Sequence, residues 1–412
     1  MSTTSTEIAT DADEQARVRS IAFLNWAHAI DHYVILIFPT LVIGLQVIYG
    51  RSYAEMIALG TASFVAFGVF SLPAGWLADR WSRRNMMALF YFGCGGSLAL
   101  AAFAPNLILL AAALFLLGVF AAIYHPVGMP MLIAAATSRG RTLAFNGVCG
   151  NVGAALAAGI TAALATWLGW RGAFLVPAAL CLATGVFYLR LVPDDGHKAA
   201  TRSQQADVPL SKQVMATMFG LFIVIAMSAG LVFNIVSVAL PKIVDERLGE
   251  NMPLLLVGGV ATAVFLCGAL AQLAMGRLVE KYPPHWLFAA VAALQFAGIW
   301  WAAHTSGLML LLALAVSMAA IYGQVTVNDV VIARYTADAW RGRVYAVRYF
   351  LTFVSSGAAV SAIAFLYSRG GFDLVLGTTS FLALGFVFAT AAIAVLVSGV
   401  EKRRAETLQA AE

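Results

Sequence analysis

The sequence predicts an all-α integral membrane protein with twelve transmembrane helices arranged as two pseudo-symmetric six-helix bundles. Four observations predict it. Apolar stretches of about 20 residues recur from end to end, and each is long enough to cross a bilayer as a helix. The chain of 412 residues is 61% hydrophobic and only 11% charged, where a soluble domain carries about 25% charged residues. Lysine and arginine divide unequally between the two sides that these stretches define, 20 on the side of the termini and 5 on the other. Positive charge concentrates in cytoplasmic loops, so both termini are expected in the cytoplasm, and one missed span would scramble the asymmetry. Finally, the second half of the chain repeats the first.

The elements follow in order. Residues 1–17 form a polar cytoplasmic tail, without the apolar core of a cleaved signal peptide. The N-terminal bundle, 18–191, contains spans 18–48, 53–79, 85–104, 106–136, 142–168 and 171–191. Its breaks are Gly50-Arg51-Ser52, the basic run "DRWSRR", Pro105, "TSRGR" and Gly169-Trp170-Arg171. A polar linker over 192–212 separates the halves. The C-terminal bundle, 213–399, contains spans 213–244, 253–280, 285–304, 307–335, 342–368 and 373–399, and 400–412 forms a second cytoplasmic tail. Cys94, Cys149, Cys181 and Cys267 are scattered singly with no CxxC pair, so they are expected to be packing residues.

Several functions are excluded at this level. No stretch outside the spans exceeds roughly 25 residues, which leaves no room for a soluble catalytic domain. No Gly-x-x-x-x-Gly-Lys-Ser/Thr loop occurs to cradle nucleotide phosphates. The net charge of +5 is accounted for by the loop asymmetry and needs no nucleic-acid partner.

The duplication rests on four echoes in the same order. "GWLADRW" at 75–81 is answered by "GRLVEKY" at 276–282, "AAIY" at 121–124 by the same letters at 319–322, "RGR" at 139–141 by 341–343, and "RGAF" at 171–174 by "RGGF" at 369–372. The offsets stay between 198 and 202. Parallel halves of this kind place a substrate site near the membrane midplane.

The run Gly75-Trp76-Leu77-Ala78-Asp79-Arg80-Trp81-Ser82-Arg83-Arg84 resembles the cytoplasmic signature of the major facilitator superfamily, Gly-x-Leu-Ala-Asp-Arg-x-Gly-Arg-Arg, with Ser82 in place of the second glycine. It lies between the second and third spans, as in that family. The resemblance implies secondary transport by alternating access. It also implies a conformational latch built from Gly75, Asp79, Arg80, Arg83 and Arg84, with Glu280 and Lys281 in the degenerate second copy. Arg139 with Arg141, and Arg341 with Arg343, are expected to serve the same latch or the topology. Asp329 is expected to close the same side through Arg334 or Arg348. Two shorter stretches, "HAIDHYVILIFPTL" and "AAIYHPVG", are similar to the fosmidomycin-resistance-like branch of the superfamily, which implies proton-driven export of a small organic molecule. The fifth span spaces small residues as family antiporters do, "NGVCGNVGAALAAG", but has Ala157-Ala158 where the exporter motif has Gly-Pro. Uptake therefore stays open beside export. Gly147, Gly150 and Gly153 read as close helix packing.

Ionisable residues at membrane depth usually face a cavity or a partner, because a charge in hydrocarbon costs a few kcal/mol or more. His28, Asp31 and His32 lie near the middle of the first span. Their spacings of three and four put them on one helix face, with Asn25 a further turn along. A carboxylate flanked by imidazoles can take or release a proton as access to water changes, and proton coupling through Asp31 with His28 or His32 is the first expectation. A neutral hydrogen-bonded set that binds solute is the second. His125, preceded by Tyr124 and followed by the helix-kinking Pro126, faces them as the expected partner in the fourth span. Asn234, which the repeat aligns with His32, and Arg348 complete the expected substrate-binding set.

Metal transport is the third expectation, with His28, Asp31, His32, His125 and the Met129 thioether as ligands. Soft ligands would suit copper, and imidazole with carboxylate zinc, iron or nickel. Otherwise no cofactor is expected. The energy source would be the proton gradient, the partners a small solute, protons and the lipid bilayer, and the protein a monomer in the inner (plasma) membrane.

Overall fold

The structure, a computed structural model, describes residues 3–193, 211–248, 252–336 and 338–409. Among these every regular element is helical. The expected linker at 192–212 lies outside the described residues over 194–210, and so do residues 410–412 of the expected C-terminal tail.

Among the described residues, ten helical stretches are long and apolar enough to cross a membrane. Two of them are too long for one crossing, Arg141–Leu191 with 51 residues and Phe350–Arg403 with 54, where about 20 suffice. Each is broken in the middle at glycine. Gly169 has φ 73°, and Gly371, next to Gly370, has φ 58°. That is the left-handed region in which a side chain would be strained. With each of these stretches taken as two crossings, the described residues hold twelve.

The chain forms two compact units. One comprises Met1–Thr201 with Pro253–Thr262, and the other Arg202–Met252 with Ala263–Glu412.

In the first unit, the first helix runs Thr3–Ile35 and resumes as Ile37–Tyr49 after a break at Leu36. Pro39 explains the break, because it has no N–H to offer the carbonyl of Ile35 one turn back. The fourth helix changes pitch in the same way. It runs Leu107–Ala121, widens to a π-helical turn over Tyr124–Gly128, and returns to α geometry over Met129–Ala135. Pro126 sits inside that turn, and such single π turns are frequent at functional sites. Small residues bring the helices together. A Cβ on Gly153 would lie 2.1 Å from the carbonyl oxygen of Ala29, and one on Gly118 only 2.0 Å from that of Ser63. Helices in lipid gain association from this kind of close backbone approach.

The second unit packs around Phe222, Phe288, Val327, Tyr335 and Phe386, which are nearly or fully buried. Each half also ties its third helix to the end of its sixth. In the first unit the Arg84 guanidinium donates to the carbonyls of Val192, at 2.6 Å, and Leu189. The repeat aligns Arg84 with His285, which is 2% exposed in the second unit. His285 is 3.0 Å from the Tyr335 hydroxyl and 3.2 Å from that of Ser398. Tyr335 in turn donates to the Glu401 carboxylate at 3.0 Å. The same structural task is done by a cation on carbonyls in one half and by a side-chain relay that ends on a carboxylate in the other.

Candidate functional site

The first helix brings Asn25, His28, Asp31 and His32 to one face, and the π turn of the fourth brings Tyr124 and His125 against it. His28 is the centre of the group. Its Nδ1 lies 2.8 Å from the backbone carbonyl of Asn146. A carbonyl only accepts, so Nδ1 carries the proton and the Nε2 of neutral His28 is left with a lone pair. That lone pair faces the Nε2 of His32 at 3.1 Å, so His32 donates there. The His28 ring stacks on Tyr124 with centroids 4.8 Å apart, and the edge of His125 approaches it at 5.3 Å.

Asp31 is 1% exposed. One carboxylate oxygen lies 3.4 Å from Nε2 of His125, and the other, Oδ1, is buried without a hydrogen-bond partner. The ligand atoms of His28, His32 and His125 all lie within 4.8 Å of one another. Met129 contacts this group through Tyr124, whose hydroxyl lies 4.0 Å from its sulfur.

Asn146 is the residue that sequence reasoning missed. It is fully buried, accepts from the Tyr124 hydroxyl at 3.1 Å and donates to Asn25 Oδ1 at 3.0 Å. Its backbone orients His28 and its side chain joins the first helix to the fourth. A signal existed: Asn146, Gly150 and Gly153 are spaced four and three apart and so share one helix face. Gly150 is needed there, since a Cβ would come within 2.6 Å of His28 Nε2.

The remaining expected residues take other partners, each within its own unit. The Asn234 amide donates to Gly230 O of its own helix at 2.8 Å. Arg348 pairs with Asp329, one of the two basic partners anticipated for that carboxylate. Arg334, the other, lies 3.9 Å from Glu401. Of the signature residues, Asp79 accepts from Arg83 at 2.9 Å, and Arg80 stacks its guanidinium 4.1 Å from the Trp76 ring centroid. Gly75 lies against Pro126 of the fourth helix, where a Cβ would come within 3.2 Å. Arg141, Glu280 and Lys281 are exposed. The side chains of Arg139, Arg341 and Arg343 lie outside those described.

A family model described as Major Facilitator Superfamily matches the chain over residues 21–260 and again over 221–412. The chain belongs to the major facilitator superfamily. Two curated relatives match over part of their length. The multidrug efflux pump LfrA of Mycolicibacterium smegmatis is 35% identical over 123 residues, 29% of this chain and 24% of that protein. The probable L-galactonate transporter of Escherichia coli is 27% identical over 159 residues, 38% of this chain and 35% of that protein. The chain thus spans about a quarter and a third of these two relatives. Among solved structures, a D-xylose–proton symporter has TM-score 0.72 at 15% identity, covering 91% of this chain and 96% of its own. A bacterial homologue of the human lysosomal transporter Spinster, inward-facing and occupied, has TM-score 0.70 at 14% identity, with 93% and 95% covered. At such identities the likeness is one of fold. This major facilitator protein, with its long apolar helices, is therefore a multi-pass membrane protein.

Proposed function

We propose that this protein is a transporter, not an enzyme, and works by alternating access as a proton-coupled exporter of a small organic solute. In this reading it is a monomer of the inner membrane with both termini cytoplasmic, needs no cofactor and no nucleic acid, and draws its energy from the proton gradient. The observation that carries the reading is the buried Asp31 carboxylate, 3.4 Å from His125, beside two further imidazoles. A lone carboxylate at that depth without a cation beside it is costly to keep, and such residues mark ion pathways. Asp31 is the coupling group, with His28 and His32 passing the proton. Asn25, His28, Asp31, His32, Tyr124, His125, Asn234 and Arg348 are the residues proposed to contact solute. The signature residues around Asp79 form the conformational latch together with Asp329, whose ion pair with Arg348 opens when Arg348 turns to solute.

Export is favoured by the partial likeness to an efflux pump and by the helix-1 and helix-4 stretches that resemble the fosmidomycin-resistance-like branch. Uptake is the second reading, favoured by the partial likeness to a probable galactonate transporter. Reconstituted vesicles test the class. A solute found by thermal-shift screening should cross the membrane unchanged when a pH gradient is imposed, and the sign of the gradient that drives accumulation gives the direction. Conversion of that solute into another molecule would contradict the proposal.

A further inference from the structure

We propose that His28, His32 and His125 form a binding site for one divalent transition-metal ion of the zinc class, with Asp31 as the compensating charge. The spacing of His28 and His32 is i, i+4 on one helix face, the arrangement in which two imidazoles reach a single ion. Their Nε2 atoms are already 3.1 Å apart, and a tetrahedral ion with bonds of about 2.0–2.1 Å needs its ligand atoms about 3.3 Å apart. The third imidazole has its ligand nitrogen within 4.8 Å of both, so a shift of that ring by up to about 1.5 Å closes the set.

For His28 the tautomer is also the required one, whereas His32, whose Nε2 proton faces His28 in this structure, would carry its proton on Nδ1 once Nε2 binds the ion. His28 donates from Nδ1 to the Asn146 carbonyl, which leaves Nε2 as the ligand. Metal-bound histidines are held in this way by a carbonyl or carboxylate on the other ring nitrogen. The buried carboxylate supplies charge: Asp31 Oδ2 lies 3.4 Å from His125 Nε2, and its Oδ1 lacks a hydrogen-bond partner. Three imidazoles with a nearby carboxylate suit zinc, nickel, cobalt or copper(II) rather than magnesium or calcium. All four side chains come from one unit, so the site is complete within the first half of the chain. The fourth coordination position is open to water or to a solute that carries a donor atom.

This site uses the same side chains as the proposed proton coupling but stands independently of it. The test is titration of the full-length protein in detergent, stripped with chelator, with zinc by calorimetry and with cobalt by visible absorption. The wild type should bind one zinc per chain, and cobalt should give the intense d–d bands of four-coordination. His32→Gln and His125→Gln should each weaken zinc at least tenfold, whereas His304→Gln, an exposed residue elsewhere, should not. Size-exclusion profiles and helical content of the variants confirm that they are folded. Wild-type affinity no tighter than about millimolar, or equal affinity in His32→Gln and His125→Gln, would overturn the site. Gradient-driven flux measured in chelator reports on the coupling reading alone, so either can fail without the other.

Discussion

Replacing Gly150 with alanine would put a methyl group where the His28 ring already is. An ideal Cβ at position 150 lies 2.6 Å from Nε2, 2.7 Å from Cε1 and 2.8 Å from Cδ2 of that ring, about 1 Å inside ordinary contact distance. The ring has little freedom to yield. It is held by Asn146 O at 2.8 Å on one edge and by the Tyr124 ring at 4.8 Å on one face. Overpacking of this kind costs about 1–3 kcal/mol. If the ring turns away from Asn146, its buried N–H loses a partner at a further cost of about 1–3 kcal/mol. The sum is on the order of 2–6 kcal/mol. Gly44→Ala is the control, because nothing lies within 4 Å of a Cβ there and a helical alanine is favoured over glycine by roughly 0.5–1 kcal/mol. Thermal unfolding in detergent should therefore separate the two, Gly150→Ala melting below wild type and Gly44→Ala at or above it. Equal stability of the two variants would show that Gly150 does not hold the His28 ring in place.

Further expectations follow from the second unit. The Arg348 side chain is 11% exposed and its partner Asp329 44%, so Asp329→Asn should cost more stability than Arg348→Gln, by about 1–2 kcal/mol, because the more buried charge is the one left behind. The reverse order in chemical or thermal unfolding would contradict that placement. Tyr335→Phe removes the oxygen that accepts from His285 Nδ1 and the hydroxyl that reaches Glu401. A buried donor left in this way costs about 1–3 kcal/mol. The variant should melt correspondingly lower, and an unchanged melting temperature would show that the relay contributes nothing.

Most of the fold was legible because its causes are local or statistical. Apolar run length, loop charge and the 198–202 repeat each depend on residues close in sequence or on simple sums. The partition of His28, Asp31 and His32 onto one face was legible for the same reason, as helical spacing alone decides it. Asn146 was not, since its role depends on packing against residues 118–122 positions away. A single amide in an apolar helix gives no charge signal. His285, Tyr335, Ser398 and Glu401 stayed hidden likewise, each unremarkable alone and joined only when three helices converge. Arg348, expected to reach solute, is engaged with Asp329 in this structure. The sequence offered Arg334 and Arg348 as partners for Asp329, but which of the two takes it is decided by helix packing.

The central claim is that Asp31 carries the proton whose movement drives solute. Vesicles containing the purified protein and a trapped pH-sensitive dye measure it directly, with a solute chosen by thermal shift. Wild-type vesicles should change internal pH when solute is added on one side. Asp31→Asn vesicles, folded and still binding solute, should exchange it without moving protons. Proton movement at the wild-type rate in Asp31→Asn would contradict the account.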